Sequence, residues 1–240
     1  MSIKRILVPA EHWVWLSFIE AIVTGSLLAP ALQGGVLAVG LGLAFMMGQA
    51  FRVRAFRWAL GLGLLAHGFF ILAYKIHPAP FMLGILCAVP LIVAQRVLAA
   101  RVGPRSLAAE TIGSVALGFP AASLMIAGGR PIGLAFAVWG LLAVRAGASV
   151  LYVRHKLRKE RREDYSVFKV VGAHVAVFAV FLFLVWKHEL PWLAASGYGL
   201  LALRALWGLL VSTSETPKQV GIREVCWGFA NVVLIIFALR

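Results

Sequence analysis

The segment Leu141–Asp164 decides the fold: it reads LLAVRAGASVLYV and then RHKLRKERRED. It begins as an apolar helix and ends in a dense basic run, and Arg145 lies about two turns before that run. Arg145, Ser149, Tyr152 and Lys156 are spaced by four, three and four residues, so a helix places them on one face. That face directs hydrogen-bond donors and positive charge from bilayer depth toward a basic surface.

The composition of the whole chain extends this membrane assignment. Of its 240 residues, 62% are hydrophobic, whereas soluble domains contain roughly 45–50%. The apolar runs approach the roughly 20 residues that a bilayer-spanning helix needs. We therefore predict an all-α polytopic membrane protein with about nine transmembrane helices in a single integral membrane domain, residues 1–240. The predicted spans are 13–31, 34–51, 58–74, 80–98, 107–127, 131–152, 166–187, 190–211 and 221–239.

The excess of positive charge has a topological explanation. The net charge is +14, which in a soluble protein would suggest nucleic acid, but here Lys and Arg concentrate in alternate loops. Nucleic acid is therefore not a predicted partner, whereas anionic lipid head groups are. The same asymmetry predicts the N-terminus inside and the C-terminus outside. Cys87 and Cys226 lie in apolar runs, and we expect buried packing thiols and no disulfide.

Short motifs distributed along the chain carry a family resemblance. Residues 9–15, PAEHWVW, open the first span, and the others are 105–107 (RSL), 172–178 (GAHVAVF) and 221–224 (GIRE). In these motifs the chain resembles the YwiC-like family of bacterial membrane proteins, although Trp13 replaces a glycine of that family's PxxHGAW signature. The family is similar to the UbiA-type prenyltransferases, so the resemblance implies nine spans, a UbiA-like helical bundle and the bacterial cytoplasmic (inner) membrane.

The resemblance does not bring the metal site of the prenyltransferases with it. Those enzymes hold a prenyl diphosphate through Mg²⁺ on aspartate-rich motifs that end spans two and six. The corresponding segments here, 48–54 and 152–156, contain no carboxylate, and the only aspartate of the chain is Asp164. Because Mg²⁺ requires hard oxygen ligands, we predict neither a magnesium diphosphate site nor any other cofactor.

A cationic rim is the predicted ligand site. If spans two, four and six converge as the resemblance implies, their ends form a basic pocket for the phosphate of an isoprenoid or a phospholipid. The predicted ligand-binding residues are Gln49, Arg52, Arg54, Arg96, Arg145, Ser149, Tyr152, Arg154 and Lys156. Ordinary positive-inside charge that contacts head groups is the alternative. Arg145 fits that alternative least, since an arginine inside a span is costly without a partner.

Ionisable residues within the spans supply the remaining candidates. Glu11, His12 and Glu20 are the candidates for proton transfer. Glu110, Glu224 and Arg204 are assigned to structural ion pairs that hold helices together. Histidines at matching depth could also ligate haem, and that weaker alternative rests on His12 and His174.

These observations leave two functional classes open. The first is a lipid-binding membrane protein, which could also perform metal-independent group transfer on the lipid phosphate. The second is a non-catalytic accessory or assembly subunit of a larger membrane complex, of respiratory or photosynthetic type. The sequence shows no inverted repeat and no paired broken helices, which disfavours a secondary transporter.

Overall fold

The computed structural model describes residues 12–211 and 214–240, with side chains from Trp15 onward. Within these ranges the chain is helical and contains no strand. Within the described residues, eight helical segments are long and apolar enough to cross a membrane. The prediction of an all-α polytopic membrane protein is therefore confirmed.

The described helices follow the order of the predicted spans. Their bounds are α1 His12–Leu28, α2 Leu32–Arg52, α3 Phe56–Ile76, α4 Met82–Val102, α5 Leu107–Ala116, α6 Phe119–Ala127, α7 Ile132–Glu160, α8 Val167–Trp186, α9 Trp192–Leu210 and α10 Pro217–Leu239. Helices α5 and α6 form one candidate span, Leu107–Ala127, which is interrupted at Leu117 and Gly118. Helix α1 is apolar but shorter than these eight candidate spans.

Most of the basic run that follows the predicted span of about 131–152 continues the same helix. Helix α7 has 29 residues and ends at Glu160. At about 1.5 Å per residue it is about 43 Å long, so it exceeds the roughly 30 Å of bilayer hydrocarbon. Lys, Arg and Glu favour helix, and Arg158 and Lys159 in its last turn complement the helix dipole.

Helix α10 begins four residues before the predicted start at 221, and a local signal explains the difference. The Thr216 side chain accepts a hydrogen bond from the backbone N–H of Gln219, and the Gln219 side chain accepts one from the Thr216 backbone. Pro217 occupies the first turn, where its missing N–H costs no hydrogen bond. This capping box fixes the helix start at Pro217.

The chain forms two compact units. Unit 1 contains residues up to Leu91 together with Ala116–Gly140, and unit 2 contains Ile92–Val115 and Leu141–Arg240. One boundary follows Pro90, which lies inside α4 and lacks the N–H that a regular helix uses. A second boundary lies beside the interruption between α5 and α6.

Close helix contacts in unit 1 depend on small residues. Helix α1 packs against α6, and α2 packs against α3. A Cβ atom on Gly25 would lie 2.9 Å from the Cα of Ala121, so only glycine permits this approach of α1 to α6. The Arg130 Nε donates a hydrogen bond to the carbonyl of Leu28 at 2.9 Å, which joins the ends of the same two helices.

In unit 2, helix α9 packs against both α8 and α10. The rings of Phe181 and Tyr198 stack with centroids 3.9 Å apart. The Tyr198 hydroxyl donates a hydrogen bond to the Leu141 carbonyl at 2.5 Å, so α9 is also attached to α7. Cys87 in α4 and Cys226 in α10 are free and exposed, which corrects the expectation that they are buried.

Candidate functional site

The face of α7 that extends from Arg145 to Lys156 is buried. Arg145, Ser149, Tyr152 and Lys156 have relative exposures of 5%, 8%, 5% and 0%, whereas Val144 on another face is 39% exposed. Helical spacing therefore places these four residues together. They form an interior face of the protein and not an open cationic rim.

Lys156 lies in an ionic network at the end of α7. Its Nζ atom is 2.6 Å from Oε1 of Glu160 and 3.2 Å from Oε2 of Glu215. Glu215 also forms an ion pair with Arg223, and its backbone N–H donates to Oε2 of Glu160 at 3.0 Å. Lys159 donates to the Leu209 carbonyl at 2.7 Å. The segment between α9 and α10 is thereby attached to the last turns of α7.

These neighbours change the pKa of the Glu215 carboxyl. Burial favours its neutral form, but hydrogen bonds from Arg223 and Lys156 stabilise the charged form more strongly. The pKa of Glu215 is therefore below its ordinary value. The network holds Glu215 as a carboxylate at neutral pH.

Arg154 is also engaged within unit 2. Its Nη1 atom donates to Oε2 of Glu110 at 2.7 Å and to the carbonyl of Arg105 at 2.6 Å. Glu110 is one of the residues assigned to structural ion pairs, and the structure places Arg154 as its partner.

A second ion pair lies deeper in unit 2. The Nη1 and Nη2 atoms of Arg204 donate to the two carboxylate oxygens of Glu224 at 2.7 and 2.9 Å. The guanidinium carbon of Arg204 lies 4.0 Å from the centroid of the Tyr152 ring. Arg204 and Glu224 are both in the assigned ion-pair set, so the structure brings these two residues together.

His174 is buried in α8 of the same unit, with 3% of its surface exposed. Its Nδ1 atom lies 2.8 Å from the carbonyl oxygen of Val170. The other haem candidate, His12, has its side chain outside the described residues. Among the residues described, no group of three or more His, Cys, Asp or Glu side chains could hold a metal ion.

Three of the predicted α7 site residues have partners within unit 2. Tyr152 stacks on Arg204, Arg154 pairs with Glu110, and Lys156 pairs with two carboxylates. In this structure the cations of α7 stabilise the helix packing of unit 2.

Arg52 and Arg54, the predicted site cations of span two, lie where α2 ends and the turn to α3 begins, in unit 1. Arg54 adopts a left-handed conformation with φ of 59°, and its N–H donates to the Phe51 carbonyl at 3.0 Å. A surface depression of about 540 Å³ is lined by Arg54, Ala55, Phe56, Arg57 and Trp58. We call these five residues the turn surface.

The turn surface combines exposed cations with exposed aromatic rings. Arg54 and Arg57 are exposed, and Phe56 and Trp58 are 61% and 53% exposed. Arg57 is absent from the predicted ligand set, although the RVRAFRW spacing that places it beside Arg54 is visible in the sequence. Arg52 is exposed at the end of α2, whereas Gln49 is 7% exposed.

Other predicted site residues are dispersed. Arg96 is exposed on the part of α4 that belongs to unit 2. Glu20 is 3% exposed in α1, and its backbone carbonyl accepts a hydrogen bond from the Thr24 hydroxyl at 2.7 Å. Glu11 and the side chain of His12 lie outside the described residues, as does the side chain of Trp13 at the family signature.

Unit 2 also contains a groove that the sequence analysis does not anticipate. It lies on α9 and α10, has a volume of about 610 Å³, and is lined by Leu200, Leu203, Arg204, Leu206, Trp207, Leu210, Val211, Arg223 and Trp227. We call it the α9–α10 groove. The Leu203, Leu206, Trp207 and Leu210 spacing is the helical pattern that could have indicated it.

Comparison with known proteins finds no matching protein-family model, curated protein or solved structure. The class of this protein is therefore defined by its own fold: it is an all-α, multi-pass membrane protein. The YwiC-like and UbiA-like resemblances remain predictions from the sequence motifs.

Proposed function

We propose that this membrane protein binds an anionic lipid, an isoprenoid phosphate or a phospholipid, through the turn surface. The observation that carries the proposal is the pairing of exposed Arg54 and Arg57 with exposed Phe56 and Trp58 in one depression. Guanidinium groups bind phosphate oxygens through fixed pairs of donors and need no metal ion. Aromatic rings occupy the adjoining boundary between head groups and hydrocarbon.

The orientation of the chain forms part of the proposal. The loop cations favour a bacterial cytoplasmic membrane with the N-terminus inside, and the turn between α2 and α3 would then face the cytoplasmic leaflet. Anionic lipids give that leaflet a negative surface potential, which attracts basic residues by about 1 kcal/mol each. In a chain whose exposed Cys87 and Cys226 are replaced by serine, cysteines introduced at Arg57 and Lys187 should react with impermeant thiol reagents from opposite sides of sealed vesicles.

The binding experiment compares two double variants. Arg54→Gln/Arg57→Gln removes both cations of the turn surface, and Arg101→Gln/Arg158→Gln removes two exposed cations elsewhere. Dioleoyl phosphatidylglycerol and farnesyl phosphate are titrated separately into the detergent-solubilised protein, with dioleoyl phosphatidylcholine as the neutral reference. Bound lipid is counted by native mass spectrometry.

We expect the first double variant to bind at least one anionic probe about thirtyfold more weakly, because two surface charges of about 1 kcal/mol each are removed. The second double variant should bind like the natural protein. Equal binding by both variants would show that the turn surface holds no anionic lipid. Preference for one probe identifies the lipid class.

A further inference from the structure

The walls of the α9–α10 groove are suited to a hydrocarbon chain. Leu203, Trp207 and Leu210 are 64%, 64% and 60% exposed on α9, a helix apolar enough to cross a membrane. Of the nine lining residues, seven are apolar, two are arginine and none is acidic. The lining therefore suits an occupant that is apolar along its length and whose charge, where it has one, is negative.

Arg223 is the cation that can meet such a charge. Its side chain is 48% exposed, and its Nη1 atom is paired with Glu215. A guanidinium has five N–H donors in a planar fork. The Nε and Nη2 edge makes no hydrogen bond to the residues that the structure describes, so it is available to phosphate oxygens.

The ionic network allows the Arg223 side chain to turn toward a ligand while Glu215 keeps a cationic partner. Glu215 is also paired with Lys156, whose side chain is 0% exposed. If Arg223 shifts to a phosphate, Glu215 keeps this second cation. The cost of leaving a partly buried carboxylate without a partner is thus avoided.

Arg204 lines the same groove but has a different role. Both of its Nη atoms are engaged by Glu224, and its guanidinium stacks on Tyr152. These contacts fix Arg204 between α9 and α10, so it shapes the groove wall. Arg223 is then the residue that recognises the anion.

From these contacts we infer that the α9–α10 groove binds an anionic phospholipid. One acyl chain lies along Leu203, Leu206 and Trp207, and the phosphate contacts Arg223. This binding site lies in unit 2 and is independent of the turn surface, which lies in unit 1. A membrane phospholipid is favoured because the exposed apolar residues of the wall lie on a helix that is apolar enough to cross a membrane.

The test uses the full chain in detergent with dioleoyl phosphatidylglycerol as the probe. Arg223→Gln removes the anion contact, and Lys218→Gln is its control, because Lys218 is an exposed cation on α10 that does not line the groove. Leu203→Trp fills the groove, and Leu182→Trp makes the same change on α8, where the leucine is 49% exposed. Binding is read by native mass spectrometry and, for the charge variants, also by quenching of the tryptophan fluorescence with a chain-brominated form of the probe.

We expect Arg223→Gln to weaken phosphatidylglycerol binding about tenfold, since a hydrogen bond to a charged group contributes about 1.5–3 kcal/mol. We expect Leu203→Trp to weaken it about fivefold through lost apolar burial. Both controls should bind like the natural protein. Arg223→Lys should recover part of the affinity, which would show that the loss reflects the cation and not misfolding.

Several results would overturn the inference. One is equal binding of phosphatidylglycerol and phosphatidylcholine, and another is an Arg223→Gln effect no larger than that of Lys218→Gln. A preference above tenfold for farnesyl phosphate would overturn the phospholipid assignment. A second copy of the chain in the groove would appear as a dimer that Leu203→Trp abolishes. Because Arg54→Gln/Arg57→Gln leaves this groove intact, the two lipid proposals can fail separately.

Discussion

The Nζ atom of Lys156 lies 3.2 Å from Oε2 of Glu215, so the last turns of α7 are joined to the segment that precedes α10. Lys156 is 0% exposed, and its second carboxylate partner is Glu160, one helical turn further along α7. A lysine can be buried at this position because two carboxylates surround its charge.

Replacing this lysine should destabilise the protein. Lys156→Met leaves Glu160 and Glu215 with reduced compensation, and we expect the free energy of unfolding to fall by about 3 kcal/mol. The measurement is denaturation of the detergent-solubilised protein, followed by circular dichroism. Arg161→Met is the control, since Arg161 and Glu163 are 4.0 Å apart and well exposed, and it should cost less than about 1 kcal/mol. Similar losses in the two variants would contradict a structural role for Lys156.

The Arg204–Glu224 pair should behave as a coupled unit. Arg204→Met and Glu224→Gln each leave one partner of a bidentate pair without its counterpart. The double variant should be more stable than the sum of the two losses predicts, by about 2 kcal/mol. A double-mutant cycle on the unfolding free energy measures this coupling, and strictly additive losses would rule it out.

Gly208 should not tolerate a side chain. A Cβ atom at this position would overlap the hydroxyl and ring of Tyr152, which lies in a buried cluster with Val170, Ala205 and Leu209. We expect Gly208→Ala to cost about 2 kcal/mol through overpacking, and Tyr152→Phe in the same chain should recover part of the loss. Gly172→Ala is the control, because a Cβ atom there meets nothing within 4 Å. Thermal unfolding compares the variants, and equal effects at the two glycines would refute the steric argument.

Acid should weaken the attachment of the α9–α10 segment through Glu215. Because the pKa of this carboxyl is lowered in the folded protein, the unfolded chain binds its proton at higher pH than the folded chain does. The stabilisation is therefore complete above the ordinary glutamate pKa and is lost as the pH falls through the lower folded value. Unfolding curves from pH 7 to pH 3 should show a smaller acid loss for Glu215→Gln than for the natural protein. Identical pH profiles would argue against the ion pairs of Glu215.

Runs of about 20 apolar residues predict most of the helices in their correct order. They do so because the thickness of the bilayer hydrocarbon sets the length of a spanning helix. The helical face that joins Arg145 to Lys156 extends α7 beyond the apolar run, and Lys156 and Glu160 at four-residue spacing further support this extension. The start of α10 was missed because the capping residues Thr216 and Gln219 lie outside the apolar run.

The candidate site was predictable only in part. Helical spacing correctly grouped Arg145, Ser149, Tyr152 and Lys156, but spacing on one helix does not reveal what a face contacts. Glu215, which partners Lys156, is 59 residues further along the chain, and nothing in the local pattern links the two. The α9–α10 groove likewise requires two helices to be positioned side by side. Long-range partners of this kind depend on tertiary packing, and the spacing of residue types along one helix does not reveal them.

The order in which the chain is made gives the double pairing of Lys156 a further consequence. Glu160 follows Lys156 by four residues, so this pair can form as soon as α7 is synthesised. Glu215 lies 55 residues beyond Glu160 and leaves the ribosome about 3 to 11 s later at ordinary rates of translation. During that interval the local glutamate neutralises the lysine while α8 and α9 insert. Lys156 therefore has a carboxylate partner in Glu160 before Glu215 has been synthesised.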